Sequence, residues 1–159
     1  MRRSEREIRD GQEIRAILAR ERVVRLGFAV DGEPYVVPVS YGYDAAAHAL
    51  VFHTAREGRK IDLIARNPRV CFEIEGTTRV QLGRSACDWS LQYESLIGYG
   101  RIREAAEPEA KRRALACLMR QHGWDGGGPF EAKSLDAARV WELSIESLTG
   151  KRAGQRPTA

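Results

Sequence analysis

Hydrophobic and polar positions near the start of the chain predict a helix followed by a β-hairpin. The sequence Asp10-Gly-Gln-Glu13 is typical of a helix N-terminus, and the apolar residues behind it recur at helical spacing, which predicts a helix over 11–21. The segments Val23–Val30 and Pro34–Tyr43 are rich in β-branched and aromatic residues, and Asp31-Gly32 separates them. Because this dipeptide favours a two-residue turn, we expect two antiparallel strands.

Four further strands and two further helices follow from the same kinds of pattern. The expected strands cover 49–54, 70–75, 91–103 and 139–145, and the expected helices cover 58–66 and 108–121. Gly98 and Gly100 interrupt the longest of these strands and indicate a bulge or a barrel corner. Residues 76–88 show no period and are predicted to form a loop. Residues 151–159 have no apolar side chain larger than alanine, which predicts a disordered tail.

Together these six strands predict a mainly β fold, a small antiparallel β-barrel with inserted helices. Closure into a barrel removes the exposed edges that an open sheet would leave. The first three strands are joined by turns too short for crossover helices, and the chain has neither a GxGxxG motif nor a Walker loop. A parallel nucleotide-binding sheet is therefore not expected. With 159 residues, 43% hydrophobic and 30% charged, the chain is predicted to form one domain over 1–150.

The composition argues against nucleic-acid, membrane and metal-dependent functions. The excess of basic residues behind the net charge of +4 lies at the two ends of the chain, so no basic face for nucleic acid is expected. No apolar run is long enough to cross a membrane and no signal-peptide pattern is present, which predicts a cytoplasmic protein without a membrane partner. Cys71, Cys87 and Cys117 form no CxxC pair, so neither a disulfide framework nor a metal site is expected.

The segment from Phe52 to Lys60 carries the most informative candidate chemistry. It leads from a strand end through a loop into the start of a helix. A phosphate there would meet the Thr54 hydroxyl, the free amides of the first helical turn and the cations of Arg59 and Lys60. Several charged hydrogen bonds of about 1.5–3 kcal/mol each can hold a monophosphate without a P-loop. The alternative is an ordinary polar turn with two solvated cations, and spacing alone does not separate the two.

Short motifs that follow one another along most of the chain resemble the FMN-binding split barrel of pyridoxamine 5′-phosphate oxidase and its relatives. They fit a branch of nitroimidazole-resistance-like proteins in particular. The motifs are Arg25-Leu26-Gly27, Pro34 to Tyr41, Val51-Phe52-His53-Thr54, Gly58-Arg59-Lys60, Asn67-Pro68-Arg69-Val70, Cys87-Asp88-Trp89 and Tyr93 to Gly100. The resemblance extends over about residues 2 to 152 and implies a six-stranded antiparallel split barrel of the FMN-binding type.

The resemblance also implies a homodimer with two FMN molecules at the subunit interface. The residues that it places along the isoalloxazine ring, largely through backbone groups, are Val36, Val37, Pro38, Val39, Ser40 and Tyr41. The residues that it places around the ribityl phosphate are His53, Thr54, Gly58, Arg59 and Lys60, the last two as neutralising cations. Ser95 is expected to keep a polar contact near the ring, and Trp89 to reach the partner subunit's site as a stacking wall.

The chain departs from pyridoxamine oxidases at its C-terminal end. Those enzymes complete the pyridoxal pocket with a segment that bears Trp and Arg, and this chain has a different sequence from Trp141 to Arg152. The resemblance therefore implies an FMN-dependent oxidoreductase that reduces another small molecule, nitroaromatic or quinone-like, with a nicotinamide donor.

Three questions about the ligand and its chemistry stay open at this point. His53 is a candidate proton donor beside the flavin or a hydrogen-bond partner of the phosphate, and the second role is favoured. A deazaflavin or heme is an alternative ligand, with His53 and His122 as the candidate axial residues for heme. A flavin-binding protein without catalytic activity is the third alternative.

Overall fold

The computed structural model describes residues 3–128 and 130–154, with residues 132, 134 and 136 described by their backbone alone. The strands are β1 (Glu7–Ile8), β2 (Val23–Val30), β3 (Glu33–Ser40), β4 (Gly42–Asp44), β5 (Ala49–Thr54), β6 (Arg69–Gln81), β7 (Ser90–Glu104) and β8 (Arg139–Ala153). The helices are α1 (Gly11–Arg20), α2 (Arg59–Arg66), α3 (Pro108–Gln121) and α4 (Ala132–Ala137). Short 3-10 turns cover Ser4–Arg6 and Ala86–Asp88.

All eight strands belong to one curled, antiparallel sheet. Its order is β3-β2-β6-β7-β8-β5-β4, and β1 pairs with the far end of β8. The prediction of a mainly β, antiparallel split barrel with inserted helices is therefore confirmed. The described strands number eight rather than six, because two short strands, β1 and β4, were not predicted as separate elements.

The predicted hairpin at Asp31-Gly32 is confirmed. Both residues have positive φ, 53° and 78°, as a two-residue turn of this type requires, and β2 pairs with β3 along its whole length. The prediction that the second strand continues to Tyr43 is wrong. At Tyr41 the backbone N–H donates to the Arg22 carbonyl and the side chain enters the core. The chain thereby leaves β2, and the next strand, β4, pairs with β5 instead.

Strands β6 and β7 form a long hairpin with two irregularities. The predicted loop over 76–88 is wrong for its first part, since β6 continues to Gln81 after a register shift between Glu75 and Thr78. Backbone pairing with β7 holds this extension, which is exposed and so shows no apolar alternation. The predicted bulge in β7 is confirmed, because its pairing with β8 shifts between Tyr99 and Gly100.

Strand β8 continues well past its predicted end. Residues 151–153 pair with β7, and Lys151 also pairs with β1, so the prediction of a disordered tail is wrong for this part. Arg152 donates hydrogen bonds to Glu94 at 2.7 Å and to Glu13 at 2.9 Å. Backbone pairing and ion pairs thus order a segment that has no large apolar side chain. Residues 155–159 of the predicted tail lie outside the described residues.

Two apolar clusters lie on opposite faces of the sheet. The larger fills the curl, and its aromatic members include Phe28, Phe52, Phe72 and Trp141. The smaller packs α3 onto the outer face through Val51, Ala105, Ala114, Leu118 and Val140. Successive residues of β5 alternate between them, because neighbouring strand residues face opposite sides. Within the described ranges, no helix has the length and apolar character needed to span a membrane.

Candidate functional site

The N-terminus of α2 is a candidate anion-binding position. Gly58 precedes the helix with φ 131° and ψ 161°, a backbone conformation that favours glycine. Its carbonyl accepts the N–H of Ile61 at 2.8 Å, and no described side chain caps the helix. The N–H groups of Arg59 and Lys60 therefore have no intrahelical acceptor and lie where the helix dipole favours negative charge.

Three side chains attach α2 to the β2–β3 hairpin. At the start of the helix, the Arg59 guanidinium lies 4.5 Å above the centre of the Tyr35 ring on β3. At its end, Asn67 Nδ2 donates to the Ala29 carbonyl at 3.1 Å, and Arg66 pairs with Asp31 in the turn. The positive end of α2 is thereby held beside β3.

Strand β3 offers an open edge next to this helix end. It is the last strand in the sheet order, paired with β2 on one side and with no described strand on the other. A proline in a strand directs its missing N–H toward the open edge, and residues two apart face the same way. Pro34 and Pro38 therefore indicate that the N–H and C=O of Val36 face the edge. The Val36 side chain is 63% exposed.

The β3 residues that were predicted to line the flavin ring differ in how exposed their side chains are. Val36, Pro38 and Ser40 are exposed, whereas Val37 and Val39 are partly buried and pack against the core. Tyr41 does not fit the prediction that it lines the ring. It is fully buried, its hydroxyl donates to the Leu18 carbonyl at 2.8 Å, and burial raises its pKa. Tyr41 is a core residue that ends the hairpin, and it has no free side-chain group for a ligand.

The structure separates His53 from Thr54, which were predicted to bracket one phosphate. They are neighbours on β5 and so face opposite sides of the sheet. The buried Thr54 hydroxyl donates to the Ala55 carbonyl at 2.7 Å and accepts from Trp141 Nε1 at 3.0 Å. His53 is exposed and faces the α3 side. The two side chains cannot act on the same group, and the Thr54 proton is already donated.

Ser95 and Trp89 belong to other elements than α2 and β3. Ser95 is half-buried on β7, level with Glu75 on β6 and Lys151 on β8. Trp89 is 56% exposed and lies at the end of the β6–β7 hairpin. The structure therefore assembles Gly58, Arg59 and Lys60 with β3, and it places these two predicted residues elsewhere.

Sequence reasoning missed two aromatic residues that position this site. The Tyr35 ring lies beneath the Arg59 guanidinium, and Trp141 donates a hydrogen bond to the hydroxyl of Thr54, just before the loop that leads to α2. Both contacts join elements that are distant along the chain. The sequence shows only that Tyr35 is an aromatic residue on a predicted strand. It does not show that the Tyr35 ring contacts Arg59.

A small curled β-sheet with a basic helix end beside an open strand is the architecture that fold and site define. Comparison with known proteins identifies the family. A sequence model described as pyridoxamine 5′-phosphate oxidase matches residues 10–152, so the chain belongs to that family.

Three solved structures illustrate the similarity. A putative 5-nitroimidazole antibiotic resistance protein from Bacteroides thetaiotaomicron is 27% identical with a TM-score of 0.79, over 94% of this chain and 90% of its own. A FAD-binding protein from Mesorhizobium loti is 25% identical with a TM-score of 0.66, over 94% and 98%. A FAD and heme binding protein from Mycobacterium smegmatis shares the fold at 19% identity, with a TM-score of 0.83 over 97% and 76%.

Proposed function

We propose that the protein binds the riboflavin 5′-phosphate unit of a flavin, as in FMN, at the α2 N-terminus and along β3. It would then act as an oxidoreductase that passes electrons from a nicotinamide donor to a small nitroaromatic or quinone-like acceptor. The observation that carries this proposal is the uncapped, glycine-led start of α2, with Arg59 and Lys60 beside an open strand edge.

The chemistry of this site fits a phosphate dianion. Two free amides and two cations supply hydrogen-bond donors and positive charge together, which is the combination that holds phosphates at helix ends. Arg59 is exposed, so each of its contacts with a phosphate contributes less binding free energy than a buried contact would. The stacking on Tyr35 offsets part of this, because it orders the guanidinium before a ligand arrives.

The open edge of β3 fits the ring end of a flavin. Val36 offers an outward N–H and C=O for the polar edge of a ring, and the exposed side chains of Val36 and Pro38 offer apolar contact. A flavin, when bound, supplies the electron-transfer chemistry, and the chain itself has to bind, orient and shield it. The similarity to a putative 5-nitroimidazole antibiotic resistance protein and to a FAD-binding protein supports this choice.

An exposed apolar arm supports assembly into a homodimer. The end of the β6–β7 hairpin carries Val80, Leu82, Trp89 and Leu91, which are between 47% and 71% exposed. Such a cluster usually marks an interface. We infer that a second copy of the chain covers this arm and that Trp89 contributes to the partner subunit's ligand site, as the family resemblance implies.

The flavin proposal is tested by absorbance and by titration with FMN and riboflavin. Purified protein is expected to show a flavin spectrum, which is distinct from those of heme and deazaflavin. The double variant Arg59→Ala/Lys60→Ala should weaken FMN at least about a hundredfold while changing riboflavin binding little, since only the phosphate meets these cations. Arg112→Ala/Arg113→Ala on α3 is the matched control. Unchanged FMN affinity in the first variant would show that the site is wrongly assigned.

Two further measurements test the activity and the assembly. In stopped-flow reduction, bound flavin that accepts no electrons from NADH or NADPH would contradict the oxidoreductase role. In light scattering, the wild type is expected to be a dimer and Leu82→Glu/Trp89→Glu a monomer, with Arg112→Glu as the surface control. A monomeric wild type would contradict the dimer.

A further inference from the structure

A cavity of about 790 Å³ lies on the α3 side of the sheet, between α3, the end of α1, the β4–β5 turn and the outer face of β7 and β8. A volume of this size is typical of small-molecule sites. The charged side chains in its wall are Asp44, Arg103, Arg113, Arg120 and Glu142. None of its described lining residues belongs to α2 or β3, so the cavity is separate from the proposed flavin site.

Most polar side chains around this cavity are already partnered within its wall. The Arg103 guanidinium donates twice to Glu142, at 2.9 and 2.7 Å, so these two charges balance. Asp44 Oδ1 accepts two backbone N–H groups of its own turn, each at 3.0 Å. Gln121 Oε1 accepts the Tyr43 N–H at 2.7 Å, and its Nε2 donates to a carbonyl of α1 at 3.0 Å. These groups hold the wall together and have little left to offer a ligand.

Two arginines of α3 differ from the rest of the wall. Arg113 and Arg120 line the cavity, and neither forms an ion pair with any residue that the structure describes. With Arg103 balanced by Glu142, their two positive charges exceed the one negative charge of Asp44. The cavity therefore favours an anion, which would receive charged hydrogen bonds from both guanidinium groups.

The spacing of Arg113 and Arg120 determines which anion fits. Both lie on one face of α3, two helical turns apart, which places their Cα atoms about 10 Å apart along the helix. Cys117 lies between them and is half-buried, and burial raises the pKa of its thiol. The thiol is thus neutral at neutral pH and offers an apolar contact. With the alanines at 45–47, it gives the cavity an apolar middle between two cations.

We propose that this cavity binds a linear organic dianion, with one acid group against Arg113, the other against Arg120 and the apolar middle along Cys117. A monoanion would leave one guanidinium without a partner, and a compact dianion could not reach both. Because the two arginines are exposed, each contact is weak, and the affinity depends on making both at once. The inference goes beyond the proposed function and does not depend on it.

Calorimetric titration of the full-length protein compares suberate with octanoate. Suberate is a linear dicarboxylate, and octanoate has the same chain length with one carboxylate. Wild type is expected to bind suberate, and to bind octanoate about three- to fivefold more weakly, because one exposed ion pair is lost. Arg113→Gln and Arg120→Gln should each weaken suberate by about the same factor. Arg112→Gln changes an exposed arginine of the same helix outside the cavity wall, and this matched control should bind suberate like wild type.

Alkylation of Cys117 shows where the dicarboxylate binds. In alkaline buffer, suberate should slow the reaction of Cys117 with iodoacetamide, measured by mass spectrometry, and leave the exposed Cys87 unaffected. No binding of suberate to wild type, equal affinity for suberate and octanoate, or arginine variants that bind like wild type would overturn the inference. So would a Cys117 that suberate does not protect, or one protected no more than Cys87. Neither measurement depends on a flavin, so a failure here is distinct from a failure of the proposed function.

Discussion

Glu94 is the carboxylate whose removal should disturb this fold most clearly. Its side chain is 8% exposed and lies between Arg20 of α1 and Arg152 of β8. Arg20 donates to it at 2.9 Å and Arg152 at 2.7 Å, and Arg152 also donates to Glu13. This cluster ties the first helix to the end of the last strand. Glu94→Gln keeps the shape of the side chain and removes its charge.

The expected destabilisation is about 2 kcal/mol. Breaking a fully buried ion pair typically destabilises by about 3–5 kcal/mol, because the remaining charge is left without a partner. Here Arg20 is 49% exposed and Arg152 20%, so water can hydrate both after the substitution, and the value is reduced accordingly. Glu109→Gln is the control, because its side chain is 86% exposed, and it should change stability by less than about 0.5 kcal/mol.

The contribution of Glu94 should also depend on pH. Burial opposes its ionisation, but the hydrogen bonds from Arg20 and Arg152 outweigh burial and hold its pKa below the ordinary 4.5. A carboxylate with a lowered pKa in the folded state stabilises above its unfolded pKa and loses that effect as pH falls through the folded value. Urea unfolding should therefore show a gap between wild type and Glu94→Gln that is full at neutral pH and shrinks below pH 4.5. A gap under about 0.5 kcal/mol at neutral pH, or one that does not shrink in acid, would refute the reasoning.

Three other substitutions test single contacts. Tyr35→Leu removes the ring beneath the guanidinium at the α2 start, so FMN affinity should fall about three- to fivefold in titration while Tyr35→Phe keeps it. Gly42→Ala would place a Cβ 2.5 Å from the Leu118 Cα of α3 and should lower the free energy of unfolding by about 2–3 kcal/mol; a neutral result would contradict this close packing. Trp141→Phe removes the hydrogen bond to Thr54 and should destabilise by about 1 kcal/mol, with a double-mutant cycle against Thr54→Val as the check; absence of coupling would contradict the bond.

Much of the fold could be predicted because its signals are local. The turn at Asp31-Gly32 and the boundaries of α1, α2 and α3 depend on residues that lie close together in sequence. The sequence did not predict that β6 continues to Gln81 or that β8 continues to Ala153, because backbone pairing with β7 is what holds these two segments in the sheet. Arg152 is an example, because it is held in β8 by hydrogen bonds to Glu94 and Glu13, which lie in other elements.

The candidate site could be predicted in part. Gly58, Arg59 and Lys60 lie together at the helix start, as their spacing indicated. The pairing of His53 with Thr54 failed for a reason already present in the sequence, since neighbours on a predicted strand face opposite sides. The contact between Tyr35 and Arg59 could not be predicted, because nothing local shows how α2 lies across the hairpin.

The attachment of α2 to the hairpin at both helix ends makes these elements move as a unit. An anion that orders the first turn of α2 also restrains Tyr35 through Arg59, and the far end of the helix passes that restraint to the turn at Asp31. Amide hydrogens of the hairpin tip should therefore exchange more slowly with deuterium once a ligand is bound, although the tip does not touch it. This turn would act as a remote reporter of occupancy, readable by hydrogen–deuterium exchange mass spectrometry without a covalently attached probe.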